Sequence, residues 1–93
     1  MNEFEFQNRI YTYQMLGEEY PITFIIKSNN SENPLSLGML SFDYINNDFT
    51  VTGMINQSMC LNNDDVNKLI NLILNEILKE NVKAKIDVQL MSN

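Results

Sequence analysis

The sequence predicts an α+β fold: an antiparallel sheet of about five strands with one long amphipathic helix on one face, in the order β-β-β-β-α-β. Two observations predict it. Apolar and polar residues alternate along most of the first 56 positions, and one clean 3.6-residue apolar period follows. A chain of 93 residues, 44% of them hydrophobic, suits a single compact domain over residues 1–93 with one modest core.

Two strands are expected before residue 28. The first begins at Phe4 and continues past Arg9, where the apolar phase changes. Within one extended segment, such a change indicates a β-bulge or a strand with partners on both faces. Residues 16–19 predict a turn, and residues 22–27 alternate strictly as the second strand. The wholly polar residues 28–34 predict a loop.

Two further strands are expected at residues 35–45 and 49–55. Gly38 interrupts the first of them, which is typical of a β-bulge. Asn46 and Asn47 lie between the two runs, and asparagine tolerates the positive φ angles of a two-residue hairpin. The sequence therefore predicts a tight antiparallel pair in this part of the chain.

The helix is predicted over residues 63–81. Its start carries three signals: Asn62 as the N-cap, Asp64 and Asp65 at the positive end of the helix dipole, and Leu61 as a hydrophobic staple. An apolar stripe follows one side, formed by Val66, Leu69, Ile70, Ile73, Leu74, Ile77 and Leu78. We expect this stripe to dock on the sheet, because an isolated helix of this length is marginal in water.

A last strand is predicted over residues 82–90, where apolar residues alternate with Lys83, Lys85, Asp87 and Gln89. One helix covers at most one face of a five-stranded sheet. The other face, or the edge formed by this last strand, is therefore expected to meet a partner or to form a homodimer with a second copy.

Composition argues against most catalytic chemistry. The chain has no histidine and a single cysteine, so zinc sites, hydrolase triads and intramolecular disulfides have no basis. Asp64 and Asp65 are better explained by the helix dipole than by a metal, and residues 43–48 lack the glycine of a calcium loop. Nothing lowers the pKa of Cys60 toward that of a nucleophile. We expect no enzyme, cofactor or metal, and we interpret the six methionines as gap-filling core residues.

The net charge of −6 is unevenly distributed. Nine of the twelve acids precede residue 66, against only Arg9 and Lys27. Such a surface repels phosphate, so neither direct nucleic-acid binding nor attachment to an anionic membrane is expected. The first residues lack the basic and apolar runs of a signal peptide, and no apolar stretch approaches the roughly 20 residues of a membrane span. The expected location is cytoplasmic.

The leading hypothesis is a small acidic protein-binding module that inhibits a basic, nucleic-acid-handling protein, as phage or mobile-element anti-CRISPR proteins and nuclease inhibitors do. Charge complementarity would steer it to its partner. The alternatives are a small cytosolic structural or assembly subunit, acidic only for solubility, and a toxin-immunity protein. The predicted partner-binding residues are an acidic rim and its tyrosine anchors: Glu18, Glu19, Asp43, Asp48, Tyr11, Tyr13 and Tyr44.

Overall fold

Six strands form one mixed sheet, and a short helix packs on one of its faces. The computed structural model describes residues 2–28, 36–56 and 62–91. The strands lie in the sheet in chain order: β1 (Glu3–Phe6), β2 (Arg9–Leu16), β3 (Ile22–Ser28), β4 (Ser36–Ile45), β5 (Asp48–Asn56) and β6 (Lys85–Met91). The helix α1 is α-helical over Asn63–Leu72 and π-helical over Ile73–Ile77. The predicted α+β class is confirmed, whereas the predicted strand number and strand order match only in part.

The first predicted strand is in fact two strands. Gln7 and Asn8 have φ angles of 54° and 64°, and they form a two-residue turn between Phe6 and Arg9, which pair with each other. The apolar phase changes at Arg9 because the chain reverses there. The prediction of a bulge at this point was wrong. Gln7 is not one of the residues favoured at positive φ, so the turn carried a weak sequence signal.

The predicted hairpin turn at Asn46 and Asn47 and the predicted bulge at Gly38 are confirmed. Asn46 and Asn47, with φ angles of 52° and 65°, join β4 to β5. The pairing of β3 with β4 shifts register beside Gly38, as expected for a bulge. A β-carbon at Gly38 would overlap the carbonyl oxygen of Met54 on β5, so glycine is the residue that allows this close approach.

The last strand is parallel to β5, so the prediction of a wholly antiparallel sheet was wrong. Residues Val51 and Ile86 are paired in this ladder, as are Gly53 and Val88. A parallel neighbour requires a crossover connection, and α1 supplies it by returning the chain to the end of the sheet where β5 begins. The strand β6 begins at Lys85 rather than at residue 82.

The start of α1 is held by the predicted N-cap. The backbone N–H of Asp65 donates to Asn62 Oδ1 at 2.9 Å, and the backbone N–H of Asn62 donates to Asp65 Oδ2 at 3.1 Å. This reciprocal capping box satisfies two amides at the helix start. Gln7, in the first hairpin turn, also donates to the carboxylate of Asp65. Leu61 and Cys60 lie outside the described residues.

The helix ends at Ile77, four residues earlier than predicted. The N–H of Leu78 donates to the carbonyl of Ile73 at 2.9 Å, a five-residue step that widens the last turn into a π-helix. Lys79 then adopts a φ angle of 57°, which turns the chain away from the helix axis. The last polar residues of the predicted helix therefore form the connection to β6.

The core lies between α1 and one face of the sheet. The helix contributes five side chains that are 3% exposed or less: Val66, Leu69, Ile70, Ile73 and Leu74. The strands contribute aromatic and aliphatic side chains, among them Phe24 and Phe42, whose ring centroids are 5.2 Å apart. Burial of each large side chain stabilises the fold by about 1.5–3 kcal/mol before entropy is counted. The predicted docking of the stripe is confirmed.

We expect Ile73→Asp to unfold the domain, because the substitution places an unpaired charge at a fully buried position. The expected loss exceeds about 4 kcal/mol of unfolding free energy, measured by urea denaturation followed by circular dichroism. Asn71→Asp, at an exposed position of the same helix, is the matched control and should change stability by less than about 1 kcal/mol. An Ile73→Asp protein with the unfolding curve of the wild type would contradict the docked helix.

Candidate functional site

The predicted acidic residues lie in or near two turns at the same end of the sheet. The turn over residues 17–21 precedes β3 and the turn at residues 46–47 follows β4, and these antiparallel strands pair Ile22 with Phe42. We name this surface the acidic end, and define it by Glu18, Glu19, Asp43, Asp48 and Tyr44. All five side chains are exposed except that of Asp43, which is half-buried. The register thus brings together most of the residues predicted from the sequence.

The four carboxylates of the acidic end differ in their local partners. Asp43 Oδ1 accepts a hydrogen bond from the backbone N–H of Tyr44 at 2.8 Å, which fixes the carboxylate beside the tyrosine. Asp48 Oδ2 lies 3.4 Å from Lys85 Nζ, and both side chains are largely exposed. An exposed pair of this kind contributes at most about 1 kcal/mol, but it partly neutralises Asp48. Within the described part of the chain, no ion pair joins Glu18 or Glu19 to a base.

The three predicted tyrosine anchors do not lie together. Tyr44 is 48% exposed, and its ring packs 4.8 Å from that of Phe49, so it is both accessible and supported. Tyr11 is 1% exposed and stacks on Phe4 in the core, where its ring offers no surface to a partner. Tyr13 is half-buried on the face covered by the helix. Of the three, Tyr44 is the residue whose position suits a partner anchor.

A fourth tyrosine contributes to this end of the molecule, and the sequence did not indicate it. The hydroxyl of Tyr20 donates to Glu80 Oε2 at 2.9 Å, and its ring meets Phe49 edge-on at 5.0 Å. The contact joins the turn after β2 to the segment that follows α1. Burial, then the hydrogen bond and the negative charge of Glu80, raise the pKa of Tyr20 to about 12. No local pattern connects residues 60 positions apart.

The face of the sheet opposite α1 carries a second surface. Ile25, Met39 and Met54 are aligned across β3, β4 and β5, and Met91 lies beside them at the end of β6. Met39 and Met54 are each 51% exposed and Met91 is 46% exposed. Together with Ile25 they surround a hollow of about 280 Å³, and we name these four residues the methionine patch. The interpretation of these methionines as core residues was wrong, because strand alternation turns them away from the helix.

The described residues offer little for metal or membrane chemistry. Among residues 2–28, 36–56 and 62–91, no three of His, Cys, Asp and Glu are grouped so that they could hold a metal ion. The same ranges contain no buried polar or charged side chain. No described helix is long and apolar enough to cross a bilayer. Comparison of the chain with protein-family models, curated proteins and solved structures found no match.

The contact between Tyr20 and Glu80 predicts a pH dependence above neutrality. The pKa of Tyr20 is about 12 in the folded chain and about 10 in an unfolded chain, so both states hold the proton below about pH 10. As the pH rises from about 10 to 12, the unfolded state loses the proton first. The free energy of unfolding therefore falls in this range.

Urea unfolding at about pH 9 and about pH 11.5 measures this effect. The wild type should lose more stability between the two values than Tyr20→Phe, which cannot ionise at this position. Glu80→Gln keeps an acceptor but removes the charge, so the pKa of Tyr20 in the folded chain should fall and the loss of stability should be smaller than in the wild type. Equal pH dependence in the wild type and in Tyr20→Phe would show that the contact is absent in solution.

Proposed function

We propose that this chain is a small acidic protein-binding module that inhibits a basic, nucleic-acid-handling protein, of the anti-CRISPR or nuclease-inhibitor type. The observation that carries the proposal is the acidic end. Exposed carboxylates beside two neighbouring turns, Glu18 and Glu19 at one and Asp48 at the other, share this end of the sheet with Tyr44, an exposed tyrosine that packs on a core aromatic ring. Surfaces that bind nucleic acid are rich in lysine and arginine, and an acidic protein surface complements them.

Charge and anchor have separate roles in this proposal. Glu18 and Glu19 increase the rate of encounter with a basic surface, because long-range attraction steers association. Tyr44 supplies apolar contact area with one polar atom and little conformational entropy to lose, as aromatic hot-spot residues do. The partner is a protein with a basic surface, and nucleic acid is not bound directly.

The competing proposals differ in what the acidity does. A small structural or assembly subunit would use its charge for solubility, and a toxin-immunity protein would bind one toxin rather than a host or defence protein. An enzyme is not proposed, and the homodimer expected from the sequence stays a prediction. The strand β6 is an edge of the sheet at which a second copy could add.

Partner capture at low and at physiological salt, followed by binding kinetics, tests the proposal. Glu18→Lys and Glu19→Lys should each lower the association rate, together by on the order of tenfold at low salt. The effect should shrink as the Debye length falls to about 8 Å at 0.15 M salt. Tyr44→Ala should instead raise the dissociation rate by about tenfold or more.

Asp64→Lys, an identical charge change at an exposed position at the start of α1, beside the turn of Gln7 at the other end of the sheet, is the matched control and should leave the association rate close to that of the wild type. Binding that is independent of salt and indifferent to the reversals at Glu18 and Glu19 would contradict the proposal. It would favour the subunit whose charge serves only solubility.

A further inference from the structure

We infer that the methionine patch is the docking surface for a basic amphipathic helix of the partner protein. The inference rests on the proposed function and deepens it, since it names the face of the sheet and the chemistry of the bound segment. Four observations support it: the shape of the patch, its side chains, the charges around it and the use of the opposite face by α1.

The patch is long enough to bind one face of a helix. Its residues run across the strands rather than along them, from Ile25 on β3 to Met91 on β6. Neighbouring strands are about 4.8 Å apart, so four strands span about 14 Å. Side chains at positions i, i+4 and i+7 of a helix span about 10.5 Å, at 1.5 Å per residue. A helix lying across β3 to β6 can therefore place three anchors on the patch.

The side chains of the patch suit a partner whose apolar face is irregular. Met39, Met54 and Met91 are unbranched and polarizable, and they adjust to different shapes at small conformational cost. They flank a hollow whose lining includes the buried Leu37 and the backbone of Gly38. An apolar anchor can enter this hollow. The rest of the open face presents mainly threonine and charged side chains, with Ile10, Leu16 and Ile45 exposed near strand ends.

The charges on this face of the sheet favour a basic helix over an acidic one. Strand register places five acids and two lysines on the open face: Glu3, Glu5, Asp43, Asp48 and Asp87, with Lys27 and Lys85. The face is thus net negative around an apolar centre. A second copy docked face to face would bring two negative faces together, which is unfavourable. Lys27 is a neighbour of Ile25, and Lys85 is paired with Asp48. A helix with lysine or arginine beside its apolar stripe would meet Asp43 and Asp87 on one side of the patch and Glu5 on the other.

The opposite face of the same sheet already holds a helix. Residues 63–77 bury their apolar stripe in the same core as the inward side chains of the sheet. The sheet that carries the patch is thus covered by a helix on its other face. A helix docked on the patch would add a second helical layer, so that both faces of the sheet would be covered by helices. This mode of recognition is the helix-in-groove type.

A model peptide tests the inference without knowledge of the partner. The probe is a Leu/Lys peptide of about 18 residues, five helical turns, with leucine on one face. A Leu/Glu peptide of the same pattern is its control. In methyl spectra of the methionine-labelled protein, the Leu/Lys peptide should shift the resonances of Met39, Met54 and Met91. Met15, which is exposed on the opposite side of the sheet from the patch, should not shift.

Met39→Thr combined with Met54→Thr should weaken binding of the Leu/Lys peptide at least tenfold. Met15→Thr is the matched control and should have little effect, and melting curves of all variants establish that they fold. Each of three results would overturn the inference: no shift at the patch, equal binding of the Leu/Glu peptide, or concentration-dependent shifts at Met39 without peptide. The third would assign the patch to a second copy of this chain.

The captured partner separates this inference from the proposed function. Where the methionine variants bind the partner as the wild type does and Glu18→Lys lowers the association rate, the proposed function stands and the docking surface is wrong. Where the methionine variants lose both the peptide and the partner but the reversals at Glu18 and Glu19 leave the association rate unchanged, the docking surface stands and the steering by the acidic end is wrong.

Discussion

The architecture depends on the burial of one helical stripe against one face of the sheet. Leu69, Ile70, Ile73 and Leu74 are fully buried there, and a helix of this length would not persist in water without that contact. The same contact uses the only helix in the described part of the chain. The other face of the sheet is left without a cover, and strand alternation fills it with methionine, threonine and charged residues. The exposure of the methionine patch follows from this asymmetry.

The helix N-cap and one hairpin turn could be predicted from the sequence, because each depends on the residues at that position alone. Asn62 forms the predicted capping box, and Asn46 with Asn47 forms the predicted hairpin, because asparagine suits both positions without help from the rest of the fold. The turn at Gln7 and Asn8 was missed, since glutamine rarely adopts positive φ and the pairing of β1 with β2 imposes it. The parallel pairing of β6 was missed as well, because alternation reports a strand but not its direction.

The exposed residues of the candidate site, the acids and Tyr44, were predicted from the sequence. Glu18 and Glu19 lie in a turn that polar residues made recognisable, so their exposure followed directly. The orientation of Tyr11 did not follow, because an aromatic residue in an alternating strand suits either face until its neighbours are known. Met39 and Met54 are a similar case, since methionine is common both in cores and on binding surfaces. Their outward position depends on which face α1 covers.

The most direct test of this account asks whether the face opposite the helix is open in the folded chain. Methionine side chains oxidise according to their exposure, so the rate of sulfoxide formation by dilute peroxide reports it for each residue. The account predicts that Met39, Met54 and Met91 oxidise in the folded chain at rates within about threefold of those in the urea-unfolded chain, because about half of each side chain is exposed. Protection of all three residues by a much larger factor would contradict it, because the open face would then be covered.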